Sequence, residues 1–183
     1  MSIYLAREWE VRALLSGRMN RIVVPHPVDP RAGELLVKET WCLANTEYGT
    51  QPTDSRPILG DRWAYYLASD PDIEHEDDEN RSPWQSAARM PPEWVRIRRG
   101  IAQVTAKRLA DFTQDDALGC GLGVITKDGS LFKHGIPDRD GLPGTDNTGW
   151  PWDEWEVDPR DALRRVLTDR YKKVDWLWII FFT

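Results

Sequence analysis

The chain has 183 residues, of which 40% are hydrophobic and 30% charged, a size and balance typical of one globular domain. Its net charge of −6 argues against a protein that coats long duplex DNA, because such a binding surface is usually basic. The charge still allows a small basic pocket that holds one nucleotide or a short strand.

The few cysteines and histidines argue against a disulfide framework and against a metal site. Cys42 and Cys120 lie far apart in the chain and are predicted to be buried, reduced thiols. None of the three histidines lies at ligand spacing with a cysteine, so neither a metal nor another cofactor is expected. No signal peptide and no apolar run of membrane-spanning length is visible, which predicts a cytoplasmic protein without a membrane partner.

The first half of the chain is predicted to contain one short helix and three strands. Residues 8–16 favour a helix, because their apolar side chains share one face and Gly17 is a natural stop. Strands are predicted at residues 21–24, 35–40 and 63–68. Loops are predicted at residues 43–61, which are rich in Thr, Pro, Gly and Asp, and at residues 70–82, which are acidic.

Two further strands are predicted in the second half. Residues 96–109 mix β-branched and basic side chains, which favours one long strand or two strands with a bend at Gly100. Residues 176–182 are apolar on both faces, and this pattern predicts a central, buried strand at the end of the chain.

Helix-capping signals predict two helices in the same half. Thr113 is a good N-cap, and Asp116 stands at the third helical position, where its carboxylate can complete a capping box. Capping explains the adjacent acids Asp115 and Asp116 better than a catalytic role does. Asp158 followed by Pro159 opens the clearest helix of the chain.

Short strands, few short helices and a buried final strand predict an α+β fold, a small mixed β-barrel flanked by short helices. We expect one domain over residues 1–183, with loop insertions near residues 43–61, 70–89 and 122–152. The last insertion is rich in Gly, Pro and Asp and is predicted to hold a hairpin around Asp128 and Gly129.

Five segments, in this order, resemble the ASCH-type proteins of phages and prophages. They read ALLSGR at 13–18, GELLVKETW at 33–41, MPPEWVRI at 90–97, VTAKRL at 104–109 with FTQDDA at 112–117, and WLWIIF at 176–181. The resemblance implies a PUA-like fold, with a cleft beside the first helix. It also implies a phage or prophage protein that binds RNA or a modified nucleoside or nucleotide in the host cytoplasm.

One departure from the family pattern bears on catalysis. The family's signature is Gly-x-Lys, then Thr or Glu three residues after the Lys, then Arg; here Met19, Ile22 and Val24 follow Gly17 at those positions. A deletion of two residues would instead align Arg21 with the family's first arginine, and neither alignment restores the Lys or the Thr. Methionine and isoleucine can neither activate a nucleophile nor tune its pKa. The comparison therefore implies that hydrolysis of the family type is lost, or that another residue performs it.

Three functions remain open on the sequence alone. The leading hypothesis is a module that binds RNA or a nucleotide without turnover. The second is an amidohydrolase or ribonuclease, acting on modified nucleosides or RNA, whose rebuilt site uses Lys38 and Glu39 as weak catalytic candidates. The third is a protein–protein interaction module that uses the acidic surface and residues 122–152.

The ligand-binding candidates lie around the implied cleft. Arg18 and Arg21 could hold a phosphate with their planar guanidinium groups. Trp41 could stack a base, although packing in the core is the alternative. The basic segment of residues 96–108 is the second location to consider if the cleft is not the site. The predicted set is Arg18, Arg21, Lys38, Glu39, Trp41 and Arg96.

Overall fold

A computed structural model describes residues 1–45, 57–59, 62–71, 73, 81–144 and 146–183. By its contacts the chain divides into two compact units. Unit 1 comprises Met1–Arg12 and Glu34–Arg99, and unit 2 comprises Ala13–Gly33 and Gly100–Thr183. The expectation of a single domain over residues 1–183 stays a prediction.

The helices and strands alternate along the chain. The helices are α1 (Glu8–Leu15), α2 (Gln114–Gly119) and α3 (Pro159–Tyr171). The strands are β1 (Ser2–Leu5), β2 (Arg21–Val24), β3 (Glu34–Lys38), β4 (Trp41–Asn45), β5 (Pro57–Leu59), β6 (Arg62–Tyr66), β7 (Ile97–Arg108), β8 (Gly123–Thr126), β9 (Phe132–Gly135) and β10 (Trp176–Phe182).

Unit 1 is built on two groups of strands. β1 runs parallel to β3. β6 lies between β4 and β5, with both pairings antiparallel. The core beside β4 and β6 consists of Leu36, Trp41, Ala64, Tyr66, Met90 and Val95.

The loop prediction for residues 43–61 is wrong at both ends. Residues 43–45 belong to β4, because Leu43 and Ala44 pair with β6 and Ala44 is buried. Residues 57–59 form β5, although Pro57 is a loop signal in the sequence. The rest of that prediction, and residues 72 and 74–80 of the acidic segment, lie outside the described residues.

Unit 2 contains the predicted central strand. β10 lies between β2 and β7 and is antiparallel to both, and its residues Leu177, Ile179 and Ile180 are almost fully buried. The interior position of residues 176–182 is thereby confirmed. β7 is one continuous strand of 12 residues, without a break at Gly100.

The local signals in unit 2 are also confirmed. Thr113 and Asp116 form both hydrogen bonds of the capping box at the start of α2, and Asp158 caps α3. β8 and β9 form the hairpin expected around residues 128 and 129. The segment of residues 122–152 supplies buried side chains as well as loops, among them Leu122, Ile136 and Asp138.

The fold is therefore mixed α+β with short helices, and this part of the sequence prediction is confirmed.

Both cysteines are buried and in the thiol form, and burial raises the pKa of Cys42 to about 11. Within the described residues, no helix combines the length and the apolar character needed to cross a membrane.

Candidate functional site

The predicted ligand-binding residues fall in different units. Arg18 and Arg21 belong to unit 2, and the other members of the set belong to unit 1. A single cleft formed by all six therefore stays a prediction.

The Arg21 guanidinium is held by neighbouring protein groups. Its Nη1 donates to Asp115 Oδ2 at 2.7 Å and lies 3.6 Å from Asp116 Oδ1, while its Nε donates to Asn20 Oδ1 at 2.9 Å. Its centre also lies 4.8 Å from the middle of the Phe181 ring. With only 7% of its surface exposed, Arg21 is an anchor for the start of α2.

Asp116 is the acidic centre of the same cluster. Its Oδ2 accepts from Lys107 Nζ at 2.7 Å and from the backbone and hydroxyl of Thr113. Burial by itself would raise the pKa of Asp116, but the hydrogen bonds from Lys107 and Thr113 outweigh it and hold this pKa below its usual value. The acids that look paired in the sequence therefore bind cations and cap a helix.

The degenerate catalytic motif contributes apolar side chains to the interior of unit 2. Met19 is 4% exposed and Ile22 is 1% exposed. Arg18, between Gly17 and Met19, donates from Nε to the carbonyl oxygen of Gly121 at 3.0 Å. This contact connects the turn after α1 to the chain that follows α2.

Glu39 and Arg96 form a buried ion pair in unit 1. Nε and Nη2 of Arg96 donate to the two carboxylate oxygens of Glu39 at 2.8 and 2.9 Å, and Nη2 also donates to Ser69 Oγ at 2.7 Å. The guanidinium lies 4.1 Å from the centre of the Tyr66 ring. Burial raises the pKa of Glu39 although Arg96 opposes the shift, so the pair depends on both partners.

The two remaining members of the set are also largely buried in unit 1. Trp41 packs edge-on against Trp94, with ring centroids 4.9 Å apart, and lies in the core. Lys38 is 8% exposed, and its carbonyl oxygen accepts from the backbone of Ala6. Their roles as ligand contacts stay predictions.

An open basic pocket lies in unit 2, and one of its lining residues, Arg108, is the last residue of the basic segment 96–108. It measures about 520 Å³ and is lined by Arg108, Leu109, Ala110, Arg164, Val174, Asp175 and Trp176. Arg108 and Trp176 stand directly opposite each other on β7 and β10, so their side chains share one face of the sheet. The Arg108 guanidinium lies 5.3 Å from the centre of the Trp176 ring, and that tryptophan is 49% exposed.

The two arginines of this pocket differ in their partners. Arg164 forms an ion pair with Asp161 on the same helix. Arg108 is exposed and forms no ion pair with the described carboxylates. The pocket therefore combines an uncompensated cation, a second cation and an exposed indole ring.

Trp176 is not among the predicted site residues, because the apolar run of residues 176–182 predicts a central, buried strand. Trp176 is the first residue of β10, beyond the end of the pairing with β2, which begins at Trp178. The missing information was the register of β10 against both β2 and β7, which no local pattern supplies.

No group of three or more His, Cys, Asp and Glu side chains within the described part of the chain could hold a metal ion. Comparisons with protein-family models, with curated proteins and with solved structures find no match for this chain. The ASCH resemblance therefore stays a prediction.

His134 on β9 should make the stability of unit 2 depend on pH. Its Nδ1 is buried without a hydrogen-bond partner, and burial lowers the pKa of His134 below its ordinary value of 6.5, although Asp158 opposes the shift. As the pH falls, the unfolded chain therefore takes up a proton on His134 before the folded protein does. The stability that neutral His134 contributes is present above pH 6.5 and is lost as the pH falls through the folded pKa. We expect His134→Gln to reduce the fall in Tm between pH 7.5 and 5.5, relative to His26→Gln at an exposed bend. Equal falls in both variants would contradict this role.

Proposed function

We propose that this protein binds RNA or a nucleotide without turnover, and that the pocket of Arg108, Arg164 and Trp176 in unit 2 is its binding site. The observation that carries the proposal is the Arg108 guanidinium beside the half-exposed ring of Trp176 at the wall of a cavity of about 520 Å³. The ASCH resemblance and its PUA-like fold favour the same class of ligand and belong to the same proposal.

The chemistry of the pocket suits a nucleotide. An indole ring can stack on any base, which contributes about 1–3 kcal/mol per base. Arg108 and Arg164 can donate charge-assisted hydrogen bonds to a phosphate, each worth about 1.5–3 kcal/mol. A chain with a net charge of −6 does not attract an anion by its overall field, so binding depends on such a local cluster.

Turnover is not part of the proposal, because the positions that the resemblance assigns to hydrolysis hold apolar side chains. Met19 and Ile22 are both buried, so neither can activate water for a bound ligand. The carboxylates near that motif, Asp115 and Asp116, are occupied by Arg21 and Lys107.

Binding should be measured with nucleoside monophosphates and short RNAs by thermal shift and by quenching of tryptophan fluorescence. A ligand at about 100 times its Kd should add roughly 2.7 kcal/mol of stability to the folded protein. We expect Arg108→Ala and Trp176→Ala each to weaken binding about tenfold, because each loses one of the contacts above. The effect of Arg108→Ala should shrink as salt is raised.

Arg31→Ala is the matched control, because Arg31 is an exposed arginine in the same unit and lies outside the pocket. Equal affinities of Arg108→Ala and Arg31→Ala would overturn the site. A larger loss in Arg18→Ala than in Arg108→Ala would instead favour the site beside α1. If no nucleotide or short RNA raises Tm or quenches fluorescence, the proposed function is wrong.

A further inference from the structure

We infer that the same site continues along α3 and holds a single strand of several nucleotides, with Trp150 and Trp152 as additional stacking surfaces. This inference rests on the proposed function. It extends that function from one pocket to a track, which we define as Arg108, Trp176, Arg164, Arg165, Trp150, Trp152, Lys127 and Lys133.

The first part of the track joins two cavities through one side chain. Arg164 lines the pocket beside Trp176, and it also lines a second cavity of about 510 Å³ on the exposed surface of α3. The second cavity is further lined by Asp161, Arg165, Thr168 and Asp169. Arg164 is therefore shared by the two cavities, and Arg165 lies in the second of them.

The second part of the track leads from Arg165 to two tryptophans. The Arg165 guanidinium lies 4.4 Å from the centre of the Trp150 ring, and its Nη1 donates to the carbonyl oxygen of Glu154 at 3.1 Å. Trp152, two residues after Trp150, has Lys127 Nζ 4.3 Å and Lys133 Nζ 4.9 Å from its ring centre. Lys133 also donates to the carbonyl oxygen of Trp152 at 3.0 Å, which fixes the ammonium group beside the ring.

Each tryptophan of the track lies beside at least one cation. Unit 2 has four such cation–ring contacts on three tryptophans, all partly or substantially exposed. A cation within about 6 Å of a ring centroid is attracted by the ring electrons. Alternating aromatic faces and cations are the features that sequence-tolerant binding of single strands requires, because bases stack and phosphates need nearby positive charge.

The charges along the track set a limit on what it can bind. Arg164 and Arg165 are paired with Asp161 and Glu154, so a phosphate must share these guanidinium groups with carboxylates. Binding by charge alone would then be weak, and a regular duplex, which hides its base faces, gains only the charge contribution. A single strand gains the stacking contribution as well, and for this reason we favour it as the ligand.

The experiment compares ligand lengths on the full chain. Affinities are measured by fluorescence titration for a nucleoside monophosphate, for six-residue RNA and DNA of one sequence, and for an RNA duplex of the same length. We expect the single strands to bind about tenfold or more tightly than the monophosphate, since each further stacked base strengthens binding. The duplex should bind less tightly than the single strands. RNA and DNA strands both offer bases and phosphates, and the comparison of their affinities shows which of the two the protein prefers.

Variants of the track test which side chains give the six-residue strand its higher affinity. Lys127→Ala and Arg165→Ala should each weaken binding of the six-residue strand severalfold and leave binding of the monophosphate unchanged, while Arg31→Ala changes neither. Tm and circular dichroism of each variant confirm that it is folded. If the strand binds no more tightly than the monophosphate, or if Lys127→Ala and Arg165→Ala both match Arg31→Ala, the track is wrong although the pocket stands. Failure of every ligand would instead reject the proposed function.

Discussion

Truncation of the chain after Asp175 is expected to leave an insoluble protein, because it removes all of β10. This strand pairs with β2 through Trp178–Phe181 on one side and with β7 on the other, so its loss exposes two edges at once. Its side chains Leu177, Ile179 and Ile180 are each at most 1% exposed, so the truncation also leaves a large opening in the core. The measurement is the soluble fraction after expression, followed by circular dichroism of any soluble material.

Two smaller changes calibrate this result. Ile179→Ala, at a fully buried position, should lower the free energy of unfolding by about 2–5 kcal/mol without preventing folding. Removal of Thr183 alone costs the hydrogen bond from its backbone N–H to the carbonyl oxygen of Gly100, about 1 kcal/mol. A soluble truncated chain whose Tm matches that of the full chain would show that β10 is not a central strand.

The elements that the sequence predicts correctly are those whose signals are local. The capping box joins Thr113 to Asp116, three residues apart, and Asp158 caps the helix that begins one residue later. The two-faced apolar pattern of β10 likewise needs no distant information, because burial on both faces selects apolar side chains at every position.

The elements that it misses depend on a distant partner. β1 has four residues, too few for a clear period, and it exists because β3 pairs with it. β5 contains Pro57, which is tolerated because, among the described strands, β5 lies at the edge of its sheet beside β6. In each case the contact lies beyond the window in which a sequence pattern can be seen.

The partners of the candidate site residues are likewise too distant in the sequence to be predicted from a local pattern. The sequence places cations and aromatic rings in the chain, but their use follows from long-range pairing. Arg21 is bound by Asp115, 94 residues away, and Arg96 by Glu39, 57 residues away. Arg108 remains available to a ligand because its neighbour across the sheet is Trp176. A count of basic residues cannot make this distinction, whereas the ion-pair geometry does.

The Glu39–Arg96 pair offers a test of large effect in unit 1. Arg96→Ala should lower the free energy of unfolding by about 3–5 kcal/mol, because it leaves the Glu39 carboxylate, 2% exposed, without its cation. The variant also removes the hydrogen bond to Ser69 and the contact with Tyr66. The measurement is chemical denaturation of the full chain at pH 7.5.

The double variant Glu39→Gln with Arg96→Met is the matched control, since it removes both charges and keeps similar volumes. It should be less destabilised than Arg96→Ala, because no unpaired charge is left in the core.

The loss of unfolding free energy in Arg96→Ala should also be smaller at pH 5 than at pH 7.5. Burial already raises the pKa of Glu39, and without Arg96 this pKa rises further. At low pH the carboxyl group is therefore protonated in the folded variant, and no buried charge is left. As the pH rises through the folded pKa, Glu39 becomes charged and the variant loses stability. If Arg96→Ala leaves stability unchanged but weakens nucleotide binding, Arg96 serves the ligand rather than the fold, and the structural reading of the pair is wrong.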